Sequence, residues 1–405
     1  MTNRFLVRII GLSLVGLVCR NACGQAPDTT VSFLFLGDIM GHDSQIGSAY
    51  QASTDTYDYS EVFTYLQPEL EAVDFAVGNL EVTLAGPPFK GYPQFSSPDA
   101  LAVAARDHGM DVLVTANNHS ADRRSPGIVR TLQVLDSLGI QHTGTFASQA
   151  DRDANNLLVL EKMGVRVGLL NYTFSTNGIP VAPPTIVNRI DREQMAADVR
   201  AAEADSLDKL IVFVHWGREY EHTPYRTQTS LSEYLFGLGV DIIVGAHPHV
   251  IQPMVWDRSG PKDQLVVYSL GNFVSNQRDR GRDGGSMLKI TLGVNNDSVY
   301  IAEAGYKLIW VYKWYSPGKL HFHVLPGAAF EQWPVFFETK GSWDAFQTFM
   351  SDSRKLYGRE NFNIPEYRWR VGKWRLERPE VFPIASLPYH WPIPASLSAR
   401  VVPQP

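Results

Sequence analysis

Two histidines with one proline between them, His247-Pro248-His249, follow an apolar run at residues 240–244 in which four of five residues are β-branched. Such a run reads as a short buried strand, so the histidines stand at its end. Pro248 fixes its own φ and biases the residue before it away from helix, which predicts a stiff, extended turn. Two imidazoles presented this way can grip a divalent metal; a pair of surface-loop histidines is the plainer alternative. The pattern then recurs. Asp38 and His42 follow the apolar run 31–36, Asn79 and Glu81 follow 74–77, Asn118 and His119 follow 111–115, and His215 follows 209–214. Five of the eleven histidines therefore sit just after strand-like segments. In open α/β sheets ligands bind at the carboxyl ends of strands, so these tips are expected to converge.

The elements that must position them read as follows. Strands alternate with helices over 60–72, 97–108, 125–139, 191–204 and 227–238. Ser97-Pro98 and Ser125-Pro126 look like helix starts, with serine as cap and proline in the first turn. Residues 157–162 and 165–171 form a hairpin around Met163-Gly164. From 250 onward the chain is mostly strand. An early alternation followed by strands predicts an α/β layered sandwich. His108, His142, His222, His321, His323 and His390 lack partners in sequence and read as structural or exposed, with a reservation for His222 beside His215 and Glu219. His321 and His323 share one face of a strand, with no carboxylate pattern beside them.

Length and composition fit an ordinary folded protein. The chain has 405 residues, 44% hydrophobic and 19% charged, with a formal charge of −6. No long basic run points to nucleic acid. Arg4 and Arg8 precede a short apolar run at residues 9–18, which reads as a secretion signal covering residues 1–26. Both cysteines, Cys19 and Cys23, lie in or beside it. Plain secretion and lipid anchoring at Cys23 are both open, although Arg20 and Asn21 make a poor lipid-acceptor context. Loss of the segment leaves a more acidic mature chain without a thiolate, so any metal must be held by His, Asp, Glu and Asn. Residues 27–325 read as the main domain. Residues 326–405, rich in Trp, Pro, Phe and Arg, read as an extension that packs on it.

Six ordered motifs carry a resemblance: GDIMGH (37–42), GNLE (78–81), ANNH (116–119) with Asp122, HWGREY (215–220), GAHPHV (245–250) and SLGNF (269–273). They resemble those of the bacterial capsule-synthesis CapA family, within the calcineurin-like metallophosphoesterase superfamily. The resemblance covers residues 31–275 and implies a metallophosphatase-like β-sandwich flanked by helices. It implies that Asp38 and His249 hold a first metal, that Asn118, His215 and His247 hold a second, and that Glu81 lies where a bridging carboxylate belongs. His119, oriented by Asp122, resembles the general acid. Two departures stand out: Met40 occupies a position where the superfamily has a histidine, so that ligand is missing unless His42 substitutes, and Asn79 replaces an aspartate.

If the centre is catalytic, one or two divalent ions of the Mn, Fe or Zn type suit this mixed N/O ligation. The resemblance implies work on an anionic surface polymer, poly-γ-glutamate or capsule, through a phosphorylated or γ-amide link, with envelope assembly partners. Arg123, Arg124, Arg218 and Arg226 lie near the motif loops and are candidate substrate contacts, each of which taken singly also reads as solvated surface charge. A scaffold that holds a polyanion for export is the competing class.

Overall fold

The computed structural model describes residues 29–295 and 298–377. The segment with Cys19 and Cys23, and His390, lie outside them.

Two sheets face each other. The larger runs, from edge to edge, Lys373–Glu377, Glu366–Arg370, Ser298–Ser316, Gly284–Asn295, Thr29–Ile39, Phe75–Leu80, Val112–Val114 and Gln141–Thr143. The smaller runs Ile251–Asp257, Gln264–Leu270, Ile242–Ala246, Lys209–His215, Val165–Thr173 and Leu158–Lys162. Each contains a block of four parallel strands. Parallel strands are buried on both faces, which is why they read as unbroken apolar runs. Sidedness still follows the two-residue period. Val31, Phe33 and Phe35 point into the core between the sheets, where they join Leu169, Ile211, Phe213 and Val244. Leu34 and Leu36 point outward and meet Phe63, Leu101 and Leu135 from the covering helices. Leu170, Val212 and Ile243 do the same on the far side, against Met195, Val199 and Leu235.

Helices cover both outer faces, as the alternating pattern predicts. The helix expected over 60–72 is instead two short ones, Ser60–Phe63 and Gln67–Leu70. Pro68, in the first turn of the second, supplies no N–H to continue the first. The strand expected over 240–244 slides to Ile242–Ala246. Asp241 stays outside it, where its carboxylate accepts the Leu210 N–H at 2.9 Å and pairs with Lys209 at 3.2 Å. Gly245 therefore lies within the strand. A Cβ there would stand 2.2 Å from the Tyr268 carbonyl and 2.5 Å from the Trp216 ring nitrogen. Only glycine leaves room for the Trp216 Nε1–H to reach that carbonyl, at 2.9 Å.

Residues 327–377 close one side. The helix Lys340–Glu360 places Phe346, Phe349, Met350 and Tyr357 in the core between the sheets. The hairpin that follows joins the larger sheet at Tyr306 and Glu366. Arg354 holds Glu331 and Glu366 together. Among the described residues no helix is long and apolar enough to cross a membrane.

Candidate metal centre

The parallel blocks end at a common edge, and the polar residues after each strand meet there. Asp38, within Thr29–Ile39, is drawn in by the Gly271 carbonyl, which accepts its N–H at 3.0 Å. Gly37 permits this approach, since a Cβ there would stand 1.9 Å from the same oxygen. Glu81 follows Phe75–Leu80, His215 ends Lys209–His215, and His247 and His249 follow Ile242–Ala246. The larger sheet thus supplies the carboxylates and the smaller sheet the imidazoles.

Two overlapping groups result. Asp38, Glu81 and His215 place donor atoms within 4.8 Å of one another, as do Glu81, His247 and His249. Glu81 belongs to both, and both its oxygens are buried without a hydrogen bond. Its nearest imidazole nitrogens are His215 Nε2 at 3.5 Å and His249 Nε2 at 3.8 Å. His247 Nδ1 is likewise buried and unbonded. A buried carboxylate without a donor is strongly disfavoured unless a cation supplies what donors do not. These residues fit one or two divalent ions, with Glu81 between them.

The electrostatics agree. Burial, then the facing Asp38 charge, pushes the Glu81 carboxyl well above the ordinary range. Burial also pushes Asp38 up, but the hydrogen bonds from His249 and Asn79 outweigh it and hold Asp38 below its usual value. His215 is driven well below the normal imidazole range by burial and by His247. Burial, then His249, lowers His247 to about 3. Neutral imidazoles with free nitrogen lone pairs are what a metal requires.

The surrounding side chains fix these groups. Asn79 donates to Asp38 Oδ1 at 2.8 Å and stands 3.2 Å from His215 Nδ1. Asn117 in turn donates to Asn79 Oδ1 at 3.3 Å and to the Leu80 carbonyl at 2.7 Å. His249 Nδ1 meets Asp38 Oδ2 at 3.0 Å. Asn118 joins the cluster with its Oδ1 2.7 Å from His215 Nε2, while its amide donates to Asn177. His119 turns the other way: its Nδ1 pairs with Asp122 Oδ2 at 2.8 Å, and the same oxygen accepts the Phe95 N–H at 2.7 Å.

Three expectations need correction. His42 does not join the cluster. Its Nδ1 lies 3.0 Å from Gln45 Oε1 and accepts the Asn276 N–H at 3.3 Å, and the residue caps the helix Asp43–Ala49. The His-Pro-His turn is not extended, because His247 has φ 101° and His249 φ 57°. Left-handed backbone at two non-glycine residues is costly, and it persists here because contacts hold both ends: Pro248 O accepts the Tyr220 N–H and Asp38 accepts that of His247. The arginines also diverge. Arg218 lies over the Tyr225 ring at 3.9 Å, Arg226 opens the helix Arg226–Gly237, Arg124 opens Arg124–Leu138, and Arg123 reaches the Pro88 carbonyl at 3.4 Å. Met40, where a histidine was looked for, is core.

Sequence reasoning gave no orienting role to Asn79 or Asn117, although both lie in motifs that it singled out. It missed Phe95, whose ring stands edge-on to His119 at 4.6 Å and to His42 at 5.4 Å. No spacing rule marks an isolated aromatic in a Gly/Pro loop.

A helix-flanked sandwich with a carboxylate–histidine centre where its parallel strands end is, as a class, a candidate metalloprotein. The chain belongs to the family described as bacterial capsule synthesis protein PGA_cap, whose model matches residues 32–277. It is 28% identical over 264 residues to a capsule biosynthesis protein CapA of Bacillus anthracis, covering 61% of this chain and 60% of that one. It is 29% identical over 269 residues to a PGA biosynthesis protein CapA of Bacillus subtilis (strain 168), covering 62% and 64%. The matched region thus spans less than two thirds of either relative. Solved structures that align with the chain include the calcineurin-like phosphoesterase YfkN of Bacillus subtilis, at 12% identity and TM-score 0.44, covering 69% of this chain and 90% of that one. A 5'-nucleotidase from Candida albicans aligns at 11% and 0.40, covering 80% and 57%. The fold described above rests on its own sheets and not on these alignments.

Proposed function

We propose that this protein is an exported, metal-dependent hydrolase that acts in making or processing an anionic surface polymer, capsule or poly-γ-glutamate. The observation that carries this reading is Glu81, whose two unbonded, buried oxygens lie between two histidine-containing groups, beside the His119–Asp122 pair. The relatives' names supply the polymer, and the apolar run behind Arg4 and Arg8 supplies the export.

Asp38, Glu81, Asn118, His215, His247 and His249 would hold one or two ions. Bound there, such ions supply Lewis acidity toward a phosphoryl or carbonyl oxygen and lower the pKa of water. The chain's own residues do the rest. Asn79 and Asn117 keep Asp38 and His215 in place. Asp122, fixed by the Phe95 N–H, accepts a hydrogen bond from the Nδ1–H of His119, so that the protonated ring can give its Nε2 proton to the departing oxygen or nitrogen. Phosphoester and γ-amide links place the same demand on this acid.

Metal analysis of purified protein, followed by a panel of phosphoesters and γ-glutamyl amides, tests the reading. Stoichiometric metal with turnover lost in His119→Ala is the expected result. A metal-replete His119→Ala protein that sustains normal polymer yield in cells would remove the catalytic reading and leave a polymer-holding scaffold.

A further inference from the structure

The loops that carry the ligands also carry three exposed aromatic rings to the mouth of the centre. Phe174 directly follows the strand Val165–Thr173. Its N–H donates to the His215 carbonyl at 3.0 Å, and its ring centroid lies 4.5 Å from that of His247. Tyr220 closes the loop after His215, with its N–H on Pro248 O at 2.8 Å and its ring 6.1 Å from His249. Tyr92, from the loop between Glu81 and Asn118, stands 6.5 Å from Phe95, the ring that meets His119. Phe174 and Tyr220 are each 39% exposed and Tyr92 is 68% exposed. Aromatic surface gains by burial, and several rings left open around one set of buried donor groups mark a ligand surface rather than leftover core.

The charges around these rings narrow the ligand. Arg282 lies 3.4 Å from the Tyr220 ring centroid and pairs with Asp279 at 2.7 Å. Arg218 lies on Tyr225 and donates to its hydroxyl at 2.9 Å. Both guanidiniums therefore back rings, while Glu219 and Glu221 add negative charge to the same loop. A chain with a carboxylate on every unit would find the guanidiniums of Arg218 and Arg282 already engaged and would offer the rings no face to rest on. A pyranose presents an apolar face of axial C–H groups and needs no counter-charge, which suits an aromatic surface.

We propose that Tyr92, Phe174 and Tyr220 form a carbohydrate-binding rim that seats sugar rings on either side of the link presented to the centre, so that this chain's polymer is a glycan rather than poly-γ-glutamate. This rests on reading the buried centre as the place where a polymer link is cut, and the test separates the two claims by reading binding instead of turnover. Zinc-loaded protein is presented with an N-acetylhexosamine hexasaccharide, a hexuronate hexasaccharide, a γ-linked glutamate hexamer and a dinucleotide. Saturation-transfer NMR and calorimetry then report contacts and affinity.

The expected result is saturation concentrated on the axial ring protons of a saccharide. Tyr92→Ala and Phe174→Ala should each weaken saccharide binding five- to tenfold with bound zinc unchanged, and Tyr92→Trp should restore it. Tyr92 is exposed enough for its replacement to leave the fold intact. Preference for the glutamate hexamer or the dinucleotide, absence of any saccharide signal, or saccharide binding indifferent to both alanine variants would each overturn the rim. A protein that binds saccharide through the rim yet turns nothing over would instead refute the hydrolase reading alone.

Discussion

The molecule holds two clusters of the same residue types in opposite conditions. Glu61, His321 and His323 gather at the strand Lys319–Pro326, half-buried, with donor atoms within the same 4.8 Å of one another as those of the buried centre. The sequence showed no carboxylate beside those histidines because Glu61 lies 260 residues upstream of His321. Here every partner is protein. Glu61 Oε2 meets His321 Nδ1 at 2.8 Å, Glu61 Oε1 accepts from Ser48 at 3.3 Å, His321 Nε2 meets Ser316 at 2.8 Å, and His323 Nδ1 meets the Glu61 carbonyl at 2.7 Å. His321 also stacks on Trp314 at 4.4 Å. At the strand ends, by contrast, neither carboxylate oxygen of Glu81 receives a hydrogen bond from a protein donor. Proximity of His and Glu therefore does not mark a cation site; unmet acceptors in a dry place do.

Four experiments can break or sharpen that contrast. The largest effect belongs to His119→Ala, expected to slow turnover by about 10²–10⁴-fold with metal retained, as general acid–base help usually contributes; His321→Ala should leave the rate alone. Next, Glu81→Gln should weaken metal binding at least tenfold in elemental analysis and competition titration, whereas Glu61→Gln should not change it. Equal metal loss in both would erase the distinction. Third, stripping metal from the wild type should lower the melting temperature, since an ion at a hundred times its Kd stabilises by about 2.7 kcal/mol. Glu81→Gln should show a clearly smaller drop on adding chelator than the wild type. The smallest effect is structural: His321→Ala leaves a carboxylate oxygen of Glu61 short of its partner and should cost about 1–3 kcal/mol in urea unfolding at unchanged metal content.

What could be read in advance follows from the same physics. The strands 31–36 and 209–214 were legible because strands buried on both faces leave solid apolar runs, and the residues at their ends inherit a common address. Asp38, Glu81, His215, His247 and His249 were therefore legible as one cluster. His42 misled because spacing along the chain says nothing about a side chain turning to cap the next helix. The His-Pro-His backbone misled because tertiary contacts at Pro248 O and Asp38 overrode the local preference before proline. Aromatics such as Phe95, Phe174 and Tyr220 carry no chemical signature in sequence, so the surroundings of the centre became visible only with the fold.

The division of donors between the sheets has a mechanical consequence. Asp38 and His249 are 211 residues apart in the chain and belong to opposite layers of the sandwich. An ion gripped by both would act as a removable rivet between layers that otherwise adhere through apolar contact and a few hydrogen bonds such as His249 to Asp38. The entropy of closing a loop grows only as about (3/2)RT ln n, so a tie across so long a span restrains the unfolded chain about as much as a cross-link can. Metal supply would then set how long the folded protein survives. Amide exchange in the strands Thr29–Ile39 and Ile242–Ala246 should slow together when the ion arrives.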